Sequence, residues 1–145
     1  LIAPCPGSNV GRSFDGVRAT LDTGAWQACT FVTLLQDTTG ATGDDRLFSG
    51  LHTTFSGVSG LTMDGYVYQR AYADGSFVGE GGESGDLHDT TLGLRGIGKT
   101  GTWDCEGEYA FQTGERGGDS VSAWMAVVRA GCTFADASWR PRFGI

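Results

Sequence analysis

The chain has 145 residues, enough for one domain with a single sizeable core but not two. Seventeen acids against ten bases give a formal charge of −7, a surface that repels phosphate backbones and anionic membranes and so argues against nucleic-acid or membrane partners. Glycine supplies 25 residues and proline three, with no G-X-Y period, so collagen is excluded and an all-β chain rich in turns and bulges is expected.

The opening "LIAPCPGSNV" carries neither Met nor a basic n-region, so any leader is expected to have been removed. No apolar run approaches the roughly 20 residues that a membrane-spanning helix needs. Strand signals then recur along the chain. "FDGVRATL" (14–21) and "WQACTFVTLLQD" (26–37) lead into a polar loop, "TTGATGDD". "RLFSGLHTTFSG" (46–57) and "LTMDGYVYQRAYA" (61–73) follow. Asp74-Gly75 predicts a type I′ hairpin into "SFVGEG" (76–81), because both central residues of that turn need φ > 0. After an acidic loop, "GESGDLHD", come "TTLGLRGIG" (90–98), "GTWDCEGEYAFQTG" (101–114) and "SVSAWMAVVRAGC" (120–132), with a second hairpin at "TGERGGDS". About eight antiparallel strands with short links and no crossover helix either close into a small barrel or stack as a sandwich or jelly roll. The whole of 1–145 reads as one β-barrel domain.

Cys5, Cys29, Cys105 and Cys132 form no C-x-x-C pair, which disfavours zinc and suits two disulfides in an oxidising, secreted or exported setting. Sequence alone leaves three pairings open; neighbours in the chain, Cys5 with Cys29 and Cys105 with Cys132, are the expected one.

The strand from Gly65 to Ala73 alternates: Tyr66, Tyr68, Arg70 and Tyr72 share one face. Turned into a barrel lumen, they give aromatic walls, hydroxyl donors and one cation, suited to an apolar ligand bearing a carbonyl or anionic group. Turned outward, they make a stacked surface for another subunit. In "GTWDCEGEYAF", Trp103, Cys105, Tyr109 and Phe111 share a face expected to be core or lumen, and Asp104, Glu106 and Glu108 the solvated one. Glu106 with Glu108, or Glu80 with Glu83, is the carboxylate pair an acid–base reading would use. Trp124 sits in a strand apolar on both faces, suited to a sandwich centre or a subunit contact. His88, between Asp86 and Asp89, reads as a solvated loop histidine. There is no G-x-S-x-G elbow, H-E-x-x-H, P-loop or dinucleotide fingerprint, and neither a metal nor a cofactor is expected.

"YVYQRAYADGSFVGEGG" followed by "DTTLGLRGIGKTGTWDCEGEYAF" (89–111) resembles the second half of the allene oxide cyclase and dirigent barrel superfamily, which includes bacterial polyketide barrel cyclases. Leu92, Leu94, Gly96, Gly98, Gly101, Trp103 and Gly107 would occupy its glycine-spaced positions. The resemblance covers roughly residues 28 to 130. It implies a secreted barrel that confines a small apolar molecule and steers its cyclisation or coupling without a cofactor. Arg70, Tyr68 and Glu80 are then the candidate catalytic groups. Tyr66, Tyr72, Trp103, Tyr109, Phe111 and Trp124 are the candidate ligand-binding walls. Two other classes stay open: a non-catalytic carbohydrate- or ligand-binding module, and a self-associating structural subunit of an extracellular or viral assembly. A homo-oligomer is compatible with all three.

Overall fold

The structure, a computed structural model, describes residues 14–35 and 46–145. They form eight strands: β1 (Phe14–Asp22), β2 (Trp26–Leu35), β3 (Arg46–Val58), β4 (Leu61–Val78), β5 (Ser84–Thr100), β6 (Trp103–Arg116), β7 (Asp119–Thr133) and β8 (Arg142–Gly144). Each pairs antiparallel with the next, so the strand order in the sheet is the chain order, β1 to β8. Runs of alternating β-branched, aromatic and polar residues are what an antiparallel strand with two unlike faces requires.

The all-β reading with about eight antiparallel strands holds. Closure into a small barrel does not: the sheet is open, with β1 and β8 at its two edges among the described residues. Nor is there a second layer among them, as a sandwich would need. An eight-stranded barrel has an interior only wide enough for side chains to fill. One face of this sheet carries charged side chains on every strand except β2, and such groups cannot be packed into a narrow, dry interior.

The connections divide by end. At one end, tight turns at residues 23–25, 59–60 and 101–102 join β1–β2, β3–β4 and β5–β6. At the other lie the last residues of β2 and the first of β3, the 79–83 connection after β4, and Gly117-Gly118 between β6 and β7. That last pair has φ of 57° and 87°, as the hairpin expected from "TGERGGDS" requires.

The hairpin expected at Asp74-Gly75 does not form. β4 runs through it, and the register with β5 shifts between Tyr72 and Phe77. Gly75, at φ 63°, is absorbed as an irregularity inside the strand instead of reversing the chain. The reversal comes later, where the Gly79 N–H donates to the Glu83 carbonyl at 2.9 Å. The acidic loop expected over residues 82–89 is correspondingly shorter, because β5 starts at Ser84. His88, expected on that loop, is an exposed residue within β5.

Very little of the molecule is enclosed. Leu87 and Ala110 are the buried apolar residues and Asp89 the buried charged one among those described. Val17, Trp103, Trp124 and Val128, by contrast, are 61% to 77% exposed. A water-soluble domain of this size does not leave so much contiguous apolar surface uncovered.

Candidate functional site

Strand register sorts every side chain onto one of two faces, since directly paired residues project to the same side. The row Cys29, His52, Tyr66, Gly93, Ala110 and Met125 lies on one face. The row Ala28, Thr53, Gly65, Leu94, Tyr109 and Ala126 lies on the other. Extended along the strands, the first face collects every lysine and arginine the described strands carry, from Arg18 in β1 to Arg142 in β8. The second collects Val17, Leu21, Trp26, Val32, Leu51, Met63, Val67, Leu92, Trp103, Phe111, Trp124 and Val128. Its acids, Asp15, Asp86 and Glu115, sit only at the end opposite the tight turns.

On the polar face the charges are cross-linked between strands. Arg70 of β4 makes a two-pronged ion pair with Asp89 of β5, its Nε donating to Oδ1 at 2.9 Å. Gln112 of β6 donates to the same carboxylate at 2.9 Å. Closer to the tight turns, Arg95 of β5 donates to Glu106 of β6 at 2.9 Å and lies 3.7 Å from Asp64 of β4. Arg129 of β7 approaches the other Glu106 oxygen at 3.6 Å. Arg142 of β8 donates to Asp104 of β6 at 2.6 Å. Each of these four arginines meets a carboxylate carried by another strand, an arrangement that fixes register while leaving the arginines partly wet.

From the Arg70 row, to which Phe48 belongs, an aromatic platform runs toward the Arg95 row. Phe31 and Phe48 have ring centroids 5.1 Å apart, and Phe48 and Tyr68 5.9 Å. Tyr68 and Tyr66 follow at 5.0 Å with planes 21° apart, and His52 lies 6.3 Å from Tyr66 with planes 12° apart. Two glycines make this possible. The Tyr66 ring occupies the space a Cβ at Gly93 would take, and the Tyr68 ring does the same over Gly50. Both phenols therefore lie over the backbone of the neighbouring strand instead of standing off the sheet. The Tyr66 hydroxyl reaches across β5 and donates to Glu108 of β6 at 2.6 Å.

The expected site residues separate on these two faces. Tyr66, Tyr68, Arg70 and Tyr72 do share a face, as the alternation implies. Trp103, Tyr109, Phe111 and Trp124 project to the opposite one, so the two groups do not enclose a common cavity. The aromatic side of "GTWDCEGEYAF", expected to be core or lumen, is instead uncovered, and the acidic side joins the tyrosines. Glu80 lies beyond the end of β4, away from Arg70 and Tyr68, and its backbone N–H donates to Asp119. Glu106 is held by Arg95 and Arg129, and Glu108 by the Tyr66 hydroxyl. Two concavities among the described residues are open grooves of about 380 and 540 Å³, the latter bordered by Leu51, Val67, Leu92 and Phe111 of the apolar face.

The disulfide expectation is also corrected. Cys29, Cys105 and Cys132 are free thiols; Cys5 lies outside the described residues. Cys29 sits on the polar face, where its sulfur accepts from the Arg18 Nε at 3.1 Å. Cys105 and Cys132 are on the apolar face, not directly opposite one another: Cys105 pairs with Ala130, and Cys132 with Trp103.

Alternation within single strands misses Asp64, Arg95, Gln112 and Arg129, and it passes over Asp89 as a mere neighbour of His88. A usable signal was there. Within each strand that carries them the lysines and arginines fall on one parity, and only the strand-to-strand register shows that these parities coincide.

A sequence profile described as alginate export matches residues 1–145, the entire chain. No curated protein and no solved structure matches it. The profile match overturns the resemblance to the allene oxide cyclase and dirigent barrels, and with it the cyclase and isomerase reading. The small apolar ligand and the exclusion of a membrane partner fall for the same reason, since export carries a polysaccharide across a membrane barrier. Of the expected localisation, export stands. The chain belongs to the alginate export family.

Proposed function

We propose that the eight strands serve as wall of an outer-membrane β-barrel through which an acidic polysaccharide of the alginate type is exported. The observation that carries this reading is the division of a single-layer sheet into an uncovered apolar face and a charged one. A bilayer supplies the missing cover for Val17, Leu94, Trp124 and Val128, and an aqueous conduit supplies water for the arginines and carboxylates. β1 to β7, at 9 to 18 residues, meet the roughly 9 to 11 tilted residues that span a bilayer, with β4 and β5 long enough to project beyond it, while β8 adds only a three-residue edge. Paired arginines suit transport better than bare ones. Their attraction for a polyanion is partly offset by the carboxylate beside each, so a chain can be held weakly at many points and still move on.

The test is depth-resolved quenching. Single-tryptophan variants retaining Trp26, Trp103, Trp124 or Trp139 are inserted into vesicles containing lipids brominated along the acyl chain. Trp26, Trp103 and Trp124 should be quenched. Trp139, 87% exposed in the connection between β7 and β8, should respond to aqueous iodide instead. A protein that stays monodisperse in buffer without detergent and leaves Trp124 unquenched in vesicles overturns the reading.

A further inference from the structure

We propose that the aromatic platform on the charged face is a sugar-stacking site, taking pyranose rings of the transported chain face-on against Tyr66 and Tyr68. The inference rests on the reading that this face lines the conduit, and it deepens that reading by assigning recognition to rings as well as to charges. A pyranose has flat sides edged by C–H bonds and a rim of hydroxyls. It is best held by a broad aromatic surface with hydrogen-bonding groups around its perimeter.

Two independent observations meet that description. The rings of Tyr66 and Tyr68 lie over Gly93 and Gly50, each filling the place of an absent Cβ. The two rings stack on one another, 5.0 Å apart with planes 21° from parallel, and both remain part-exposed on the charged face. Polar groups flank the platform at both levels along the strands. Arg70, with its side chain 41% exposed, lies toward the loop end, and Arg95, 37% exposed, toward the tight turns. The hydrogen bond from Tyr66 to Glu108, at 2.6 Å, fixes the outer edge of the platform.

Stacking does not depend on the sugar's charge, which separates it from the pull of the arginines. The experiment measures single-channel current in planar bilayers at 1 M KCl, where the screening length is about 3 Å and attraction between separated charges is largely lost. The probes are a neutral linear β-1,4-linked hexasaccharide and an oligouronate of equal length. Both should interrupt the wild-type current. In the Y66L/Y68L variant the blocked dwell time should fall about tenfold for both, with the open-channel current retained. Y66F/Y68F keeps the rings and should hold the dwell time within about twofold of wild type. Should Y66L/Y68L fail to insert, G93A retains both phenols but pushes the Tyr66 ring off its seat, and it should shorten the dwell time as well. An open channel that only the oligouronate blocks, or a neutral block that Y66L/Y68L and G93A leave unchanged, overturns the stacking site alone. Absence of any channel overturns the conduit reading and this site together.

Discussion

Asp89 is the most consequential single charge on the polar face. Its side chain is 3% exposed, and it accepts from both the Arg70 guanidinium and the Gln112 amide. Replacing it by asparagine keeps the shape but leaves buried polar atoms facing two donors with half their acceptors gone. Arg70 is partly wet and relaxes toward water, so the cost is that of an unsatisfied buried group, about 1–3 kcal/mol, rather than of a fully stranded ion. D89N should therefore lower the urea midpoint clearly when unfolding is followed by tryptophan fluorescence. D104N, at the Arg142 ion pair, removes a contact whose partners are 34% and 54% exposed, and it should leave the midpoint where it was. Equal shifts for the two variants would show that Asp89 is not the pivot of this network. The tyrosine face was legible in the sequence because alternation within one strand is a local property. Asp89 was not, because its importance comes from Arg70 and Gln112 on the two adjoining strands, and register between strands leaves no mark within any one of them.

Each strand is a boundary between two environments, so the cost of a new charge depends on the face to which register turns it. Leu94 and Thr91 both lie in the interior of β5, but pairing sends Leu94 to the apolar face beside Tyr109 and Thr91 to the charged face beside Gln112. An arginine at Leu94 would project its charge into acyl chains near the middle of the span, at a cost of about 2–4 kcal/mol. The same arginine at Thr91 would join a face that already carries Arg70 and Arg95 and should be tolerated. L94R is expected to reduce the inserted fraction in a vesicle flotation assay, and T91R to float like wild type. Tolerance of both would mean that lipid does not cover the Leu94 face. The strands themselves were largely legible, and β1 to β4 start where alternation places them. The Asp74-Gly75 hairpin misled because a left-handed glycine serves a bulge as well as a turn, and what decides between them is whether the next strand offers partners on the far side. Here Phe77 and Val78 find Gly85 and Ser84, and β4 continues.

At the scale of the whole molecule the charge is not evenly spread. Among the described residues the strands place eight bases on the polar face (Arg18, Arg46, Arg70, Arg95, Lys99, Arg116, Arg129 and Arg142) and seven acids (Asp22, Asp64, Asp89, Asp104, Glu106, Glu108 and Asp119), a balance of +1. The chain as a whole stands at −7, so its acidic excess lies off this face. Net charge argued against phosphate backbones and anionic membranes, but composition averages over a molecule whose charged face differs in sign from its total. A wall so nearly balanced should discriminate weakly between small ions, since selectivity follows the summed field and not the number of charges. Under a KCl gradient the reversal potential should lie near zero. Arg129, 65% exposed and 3.6 Å from Glu106, is the most exposed of the four arginines that meet a carboxylate across strands. R129E turns the balance from +1 to −1 and sets a second carboxylate against Glu106, so the reversal potential should move toward cation selectivity, and more so at low salt, where the screening length is longer. A strongly cation-selective wild-type channel would place the −7, and not the +1, in the path of the ions, and the charged face would then lie outside the conduit.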